Sequence, residues 1–360
     1  MKAAVCYEFG QPLTVEEIDI DPPKSGEVRV RMVATAICHS DLHVLRGEWG
    51  GATPVVAGHE GAGIVDAVGS GVDRVSIDDH VVVSLLRSCG RCEFCSTGAP
   101  HLCSGTFLLK NESRLRNRKG QSISHGLNTA AFAEYVIVDQ SQLAIVPNAM
   151  SLESACLLAC GVITGVGAVV NKAQVRPGSC VVVIGTGGVG LNSIQGARLA
   201  GARQIIAVDI LDSKLEASRA FGATHTVNAT MVDVKSAIAG ITDGQLADYV
   251  FVTVGSQAAA EQGFTLIRKR GMLMLVGAPN WVATINLPIG EIIVQEKTIT
   301  GSLMGSTRLS VDVARLVSLY EGGKLMLDEL ITARYPIEKI NDALSATESG
   351  SALRNIIVFG

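Results

Sequence analysis

A chain of 360 residues is longer than one hydrophobic core usually serves, so two domains are expected. With 48 % apolar and 18 % charged residues it fits a compact soluble enzyme rather than a disordered or fibrous chain. A net charge of −4 gives no general reason to bind nucleic acid or an anionic membrane, and the apolar run VVVIGTGGVG is too short and too glycine-rich to span a bilayer.

The opening MKAAVCYEFG lacks a basic segment followed by an apolar one, so with nine cysteines a reducing cytoplasm is the expected compartment. Residues 1–160 read mainly as strands. EVRVRMVATAIC (27–38) alternates with period two, and GAGIVDAV and DDHVVVSLL continue the theme. Next comes SCGRCEFCSTGAPHLC (88–103), with Cys89, Cys92 and Cys95 three apart and Cys103 eight residues later. Disulfides require an oxidising compartment, and a redox CxxC does not need two further cysteines. Four thiolates at short spacings can close round one tetrahedral zinc as a structural site, the reading the spacing favours. The basic run RLRNRKG (114–120) reads as a solvated loop, with a polyanion site as the alternative.

From about residue 175 the texture changes. CVVVIG (180–185), QIIAVD (204–209), YVFVTVG (249–255) and GMLMLVGA (271–278) alternate with helical segments such as LNSIQGARLAGA and SKLEASRAFGA. Continuous apolar strands between helices imply a parallel sheet covered on both faces. VDVARLVSLYEGG then reads as an amphipathic helix stopped by glycine, and NIIVFG as a last strand.

Between CVVVIG and its helix, Gly185, Gly187 and Gly190 stand in G-x-G-x-x-G spacing. Gly185 permits the turn, Gly187 lets backbone approach a pyrophosphate, and Gly190 lets the helix pack on its strand. The helix N-terminus supplies amides and a positive dipole end for phosphate. Asp209 ends QIIAVD, 19 residues after Gly190, where a carboxylate can accept both ribose hydroxyls and repel a 2′-phosphate; NAD is therefore favoured over NADP. Upstream, AICHSDLHVLRG, AGHEGAG and LLACGVITG offer Cys38, His59 and Cys160. Cys₂His with an open fourth position is a known catalytic zinc set. About 100 residues separate the last of them from the others, and each alone also reads as a buried thiol or a satisfied imidazole.

These segments, with the cysteine lobe and GTGGVG, closely resemble the zinc-dependent medium-chain alcohol dehydrogenases along essentially the whole chain and in the same order. The resemblance implies an α/β architecture: a Rossmann doubly wound parallel sheet domain, 162–303, inserted in a mainly-β GroES-like catalytic domain, 1–161 plus 304–360, with the zinc lobe at about 88–104. It implies two zinc ions per chain. The catalytic one falls on Cys38, His59 and Cys160, with Glu60 approaching transiently and Asp41 holding the histidine; the structural one falls on Cys89, Cys92, Cys95 and Cys103. Ser40 and His43 match the proton relay, which is coherent chemistry: zinc acidifies a bound hydroxyl, serine passes the proton on, and a histidine titrating near neutrality accepts it before hydride leaves for the nicotinamide.

The resemblance also places cofactor contacts on Thr164 at the nicotinamide, Lys214 at the adenosine ribose and Arg354 at the pyrophosphate, with Gly188, Val189, Val254 and Val276 as further cofactor-binding positions. His39 stands where several animal members carry a phosphate-gripping arginine. Ser40, Trp49, Leu85, Gly126 and Ala278 fall on substrate-pocket positions; leucine and glycine at 85 and 126 imply a channel open to bulky, allylic or aromatic alcohols. The activity implied is reversible, NAD-linked oxidation of a primary alcohol to its aldehyde. Its rivals are a dehydrogenase of thiol adducts of formaldehyde and a nicotinoprotein that keeps its NAD. A zinc-free quinone reductase is disfavoured by the two zinc sites, and a non-enzymatic zinc-binding module leaves GTGGVG, Asp209 and GHE unexplained. The long segment from Cys103 to Tyr135 resembles the commonly dimeric branch more than the commonly tetrameric one, so a homodimer is expected, with neither nucleic acid nor membrane as partner.

Overall fold

Period-two burial builds the first part of the chain. In the computed structural model, which describes residues 1–350 and 352–360, Val28, Val30 and Met32 are buried while Arg31 between them is exposed. The elements run β1 (Lys2–Cys6), β2 (Thr14–Ile20), β3 (Glu27–Ala36), α1 (His39–Leu45), β4 (Val55–Val56), β5 (Glu60–Val68) and β6 (His80–Ser84). Then come α2 (Glu93–Ser96), β7 (Leu115–Asn117), β8 (Ser122–His125), β9 (Tyr135–Asp139), β10 (Leu143–Ile145) and α3 (Leu152–Ala155).

The chain divides into two compact units, Met1–Cys160 with Arg308–Gly360, and Gly161–Thr307. The second unit holds α4 (Gly161–Gly167), β11 (Cys180–Ile184), α5 (Gly188–Leu199), β12 (Gln204–Asp209), α6 (Asp212–Phe221) and β13 (His225–Asn228). It continues through α7 (Val234–Ile241), β14 (Ala247–Val252), α8 (Gln257–Leu266), β15 (Ile267–Leu275), α9 (Ile289–Val294) and β16 (Thr298–Gly301). Its strands form one parallel sheet in the order β13-β12-β11-β14-β15-β16. All of β11 is buried, as its unbroken apolar run requires of a strand covered on both faces. Strand order reverses between β11 and β14, the kind of crevice where open α/β sheets bind ligands.

The chain returns to the first unit with α10 (Leu309–Glu321), β17 (Ile331–Pro336), α11 (Ile340–Glu348) and β18 (Arg354–Val358). That unit contains a closed barrel, β1-β2-β7-β8-β4, and a seven-stranded sheet, β10-β6-β5-β3-β18-β17, with β9 also on β3. The register of β3 is what assembles the site below. Ala36 pairs with Glu60 on one side and with Ile356 on the other, so the start of β5 and the start of β18 flank the chain as it runs into Cys38. Among the described residues no single helix is long and apolar enough to cross a membrane.

The basic run 114–120 departs in part from the sequence reading. Only its start leaves the solvated-loop reading: Arg114 is buried and residues 115–117 form β7, while 118–120 are an exposed turn as expected. Arg114, 2 % exposed, donates to both oxygens of Glu27 at 2.6 and 2.9 Å and to Glu112 at 3.0 Å. Arg116 faces Asp21 at 3.8 Å, and Arg118 pairs with Glu17.

Candidate active site

Cys38 follows β3 and caps α1, His59 and Glu60 open β5, and Cys160 ends the turn after α3. One ligand atom from each lies within 4.8 Å of the others, and all four residues are buried. Asp41, itself fully buried, holds the arrangement: its Oδ2 accepts from the Cys38 amide at 3.0 Å, and its Oδ1 accepts from the Gly58 amide at 3.0 Å and from His59 Nδ1 at 2.9 Å. That last bond fixes the tautomer and turns Nε2 into the cluster with its lone pair. Nε2 has no hydrogen-bond partner there, and neither does Glu60 Oε1, 3.9 Å away. A buried polar atom left unpaired costs about 1–3 kcal/mol. An imidazole nitrogen and a carboxylate oxygen with unspent lone pairs, facing two sulfurs, are the donor set of a zinc-type cation, and these residues fit one.

The crowding shows in the acidities. Hydrogen bonding from Cys160 holds the Cys38 thiol well below its usual range, helped by His59, while Cys160 itself is driven well up. Burial pushes Glu60 up to about 7 although Arg354 pulls the other way. Burial works against a charged His59, but the adjoining Asp41 carboxylate outweighs it and raises the imidazole. Arg354, expected at a pyrophosphate, is 6 % exposed and donates to Glu60 Oε2, so in this structure its partner is the carboxylate beside the cluster.

The second cluster is local and half-exposed. Cys89, Cys92, Cys95 and Cys103 also bring their sulfurs within 4.8 Å of one another, and no cysteine among the described residues is in a disulfide. Backbone amides point at the sulfurs: those of Cys89 and Gly105 donate to Cys103 Sγ at 3.2 Å each, and that of Cys92 to Cys89 Sγ at 3.4 Å. The amides of Cys95 and Ser104 bring the Cys92 thiol down to about 6, and burial pushes Cys95 up to about 12. Gly105 cannot carry a side chain without crowding the clustered sulfurs, since a Cβ there meets Cys89 Sγ at 2.9 Å and Cys103 Sγ at 3.2 Å.

Ser40 and His43 stand three apart on α1, hence on one side of it, and His39 beside them is exposed. Trp49, read as a pocket wall, stacks on the His43 ring with centroids 4.9 Å apart. Leu85 is half-buried just past β6. Gly126 is a correction. The sequence reading makes its missing side chain open channel space, but a Cβ there would meet Val56 O at 2.7 Å and Ala57 Cα at 2.9 Å. The glycine allows two backbones to cross closely; it does not widen a channel.

In the second unit, Gly185 has φ +87° and a Cβ on Gly190 would stand 1.8 Å from Gly185 O, so the turn between β11 and α5 tolerates neither substitution. Gly187, the N-cap, makes no side-chain bond to the first amides of α5, where Gly188 and Val189 begin the helix. Asp209 Oδ2 accepts from Thr186 N at 2.7 Å and Thr186 Oγ1 at 2.9 Å; its Oδ1 accepts from the amides of Ile210 and Leu211 at 2.8 and 3.1 Å. The chain thus fills all of a carboxylate's acceptor sites, and ribose hydroxyls have to share or displace those donors. The loops after β14 and β15 lie backbone to backbone, because a Cβ on Gly277 would meet Val254 N at 2.5 Å and one on Gly255 would meet Ala278 O at 2.3 Å; Val276 donates its amide to Val252 O. Thr164 is buried in α4, and Lys214 is half-buried in α6.

The family models described as "Alcohol dehydrogenase GroES-like domain" and "Zinc-binding dehydrogenase" match residues 24–148 and 188–321. An NDMA-dependent alcohol dehydrogenase of Amycolatopsis methanolica is 37 % identical over 99 % of this chain and 98 % of its own. The chain belongs to the zinc-dependent medium-chain alcohol dehydrogenase family. Among solved members of this dehydrogenase family, an alcohol dehydrogenase zinc-binding domain protein of Burkholderia ambifaria superposes with TM-score 0.95 at 35 % identity, covering 100 % of this chain and 98 % of the other. The benzyl alcohol dehydrogenase of Acinetobacter calcoaceticus gives 0.93 at 33 %, covering 100 % and 99 %. The two units are accordingly the family's GroES-like and Rossmann-like folds, and the protein is an oxidoreductase of the alcohol dehydrogenase family. Glu48 was not signalled by any spacing in the sequence: its carboxylate is bonded to His43 Nδ1, a contact made only because the chain turns back after α1.

Proposed function

We propose that this chain oxidises a primary alcohol to its aldehyde, reversibly, with NAD as hydride acceptor and two zinc ions, one at each cysteine cluster. The observation that carries this reading is His59, whose Nδ1 is tied to Asp41 while its buried Nε2 faces two thiols and a carboxylate with nothing to bond. Bound zinc would acidify a coordinated hydroxyl, and a bound nicotinamide would accept hydride. The chain's own residues do the rest. Cys38, His59 and Cys160 hold the ion, Arg354 keeps the Glu60 carboxylate engaged on one oxygen, and Asp41 fixes the imidazole. Ser40 hands the released proton along α1 to His43, which gives it to solvent. Gly185 to Gly190 cradle the pyrophosphate at the start of α5, with Thr164, Lys214, Val254 and Val276 as further contacts. The charge of Asp209 opposes a 2′-phosphate and so supports NAD over NADP.

The likeness to a benzyl alcohol dehydrogenase supports an apolar, aromatic alcohol as substrate. Leu85 remains compatible with that, whereas Gly126 no longer argues for it. NADH formation across linear, branched, allylic and aromatic alcohols tests the reading; ethanol as the best substrate overturns its substrate half. Asp209→Ala should weaken NAD use and relax discrimination against NADP, and a native preference for NADP refutes the cofactor assignment. A second reading, NAD kept between turnovers, is favoured by the relative whose name records NDMA dependence and not NAD. Turnover with added NAD against turnover with an artificial electron acceptor decides between them. For assembly, a homodimer is supported by β16, an end strand of its sheet, and by exposed Ile289, Ile293 and Val294 on α9, which leads into it. Sedimentation of the native protein and of Ile293→Lys measures it.

A further inference from the structure

Helix α1 ends at Leu45, and the chain reverses through Gly47 at φ +71°, where a Cβ would meet the Phe9 ring at 2.8 Å. The reversal lets the Glu48 amide donate to His43 O at 3.0 Å and folds two consecutive side chains back on the histidine. The Glu48 Oε2 is bonded to His43 Nδ1, and Trp49 lies over the ring at 4.9 Å with only 16° between the planes. The other Glu48 oxygen faces Arg46 at 3.7 Å, and hydrogen bonding from His43 holds the carboxyl below its usual range. The imidazole is therefore constrained in two independent ways: in its plane by a stacked indole and about its axis by a carboxylate on one nitrogen.

We propose that Glu48 is a positioning residue for His43, fixing the Nδ1–H tautomer so that Nε2 is the nitrogen that accepts the substrate's proton, with Trp49 clamping the ring. The proposal rests on the relay reading of His43 given above. A carboxylate on one imidazole nitrogen sets which nitrogen is free and stabilises the imidazolium formed when the other takes a proton. The proton leaves the alcohol hydroxyl through Ser40 Oγ and arrives at His43 Nε2. The Nδ1–H stays bonded to Glu48 throughout, and Nε2 then returns the proton to solvent, so the alcohol is left as alkoxide and within this relay only His43 changes charge, transiently.

The test uses zinc-loaded protein labelled with ¹⁵N histidine, with His43→Gln assigning the ring signals. The native ring should show the Nδ1–H tautomer; Glu48→Ala should lose it, and Glu48→Gln should keep it because an amide oxygen still accepts. In turnover, Glu48→Ala should lower kcat roughly tenfold, a part of the 10²–10⁴ that positioned proton transfer contributes, with KM within about twofold. That loss should vanish when His43→Gln is already present. An Nε2–H ring in native protein, or a tautomer indifferent to Glu48→Ala while His43→Gln still slows turnover, overturns the proposal and leaves the relay standing. If His43→Gln alone leaves kcat unchanged, the relay fails and the proposal with it.

Discussion

The two cysteine clusters gather the same chemistry by opposite means. In the lobe, four thiols lie within 15 residues, stay half-exposed, and receive amides from their own loop. In the buried cluster, the ligands come from three distant segments, and the arrangement exists because β5 and β18 flank the end of β3. Behind the lobe's sulfurs stand backbone amides and the Ser104 hydroxyl at Cys92. The buried cluster has Asp41 behind His59 and Arg354 behind Glu60, both removed from water. Local spacing thus gathers a cluster within one loop, whereas a cluster drawn from distant segments needs a whole sheet to hold its parts and charged partners to keep them oriented.

The sharpest way to break this division is to strike each cluster alone. Cys38→Ser or His59→Ala should lower turnover by at least about a thousandfold, because several kcal/mol of charge stabilisation go with the ion. Metal analysis should show one zinc fewer per chain while circular dichroism stays native. Cys92→Ser should do the reverse: the lobe loses its ion and several kcal/mol of folding energy, visible as a lower Tm, while the buried site keeps its zinc. One zinc per folded, active native chain would end the two-site account.

The next test sharpens the contrast in what stands behind the ligands. Asp41→Asn replaces an acceptor of three donors by a group that must turn an NH₂ toward one of them. Zinc affinity at the buried site should fall about 10–100-fold, as for other losses of a histidine's orienting partner, with the lobe unaffected. Chelator competition monitored by metal content per chain measures both; equal weakening at the two sites would deny Asp41 its role.

What the sequence made legible follows the same contrast. The lobe could be read from spacing, the strands from alternation, and the parallel sheet from its unbroken apolar runs. Cys38, His59 and Cys160 became a set only through the family resemblance, because nothing local ties residues about 100 positions apart. Arg114 was misread for the same reason: Glu27, which pairs with it out of water, opens β3, far back in the chain. Gly126 misled because a glycine reads alike whether it faces empty space or, as here, the backbone of Val56 and Ala57. Glu48 escaped because a carboxylate five residues after a histidine faces it only if the helix stops between them.

The smallest expected effect concerns the footing of the lobe. Arg87 leads directly into it and is anchored to Gln142 at 2.8 Å and to Asn128 O at 3.0 Å, while the Ser88 amide donates to Ser141 Oγ at 3.0 Å. His125 belongs to the same region: burial, then the charges of Arg87 and Arg114, bring its imidazole down to about 3. Its Nε2 accepts from the Arg114 amide at 3.3 Å, and its buried Nδ1 has no partner. Folded protein therefore keeps His125 neutral where the unfolded chain, with an ordinary value near 6.5, already binds a proton. Below about pH 6.5 the unfolded state holds the extra proton, so stability falls as pH falls, and it goes on falling until the folded value near 3 is reached. At pH 5.5 the loss attributable to this group is about 1.4 kcal/mol. His125→Gln should flatten that part of the stability curve, measured by urea unfolding between pH 7 and 5.5, without changing zinc at the buried cluster. Parallel curves for native protein and variant would place the acid sensitivity elsewhere and detach His125 from the lobe's support.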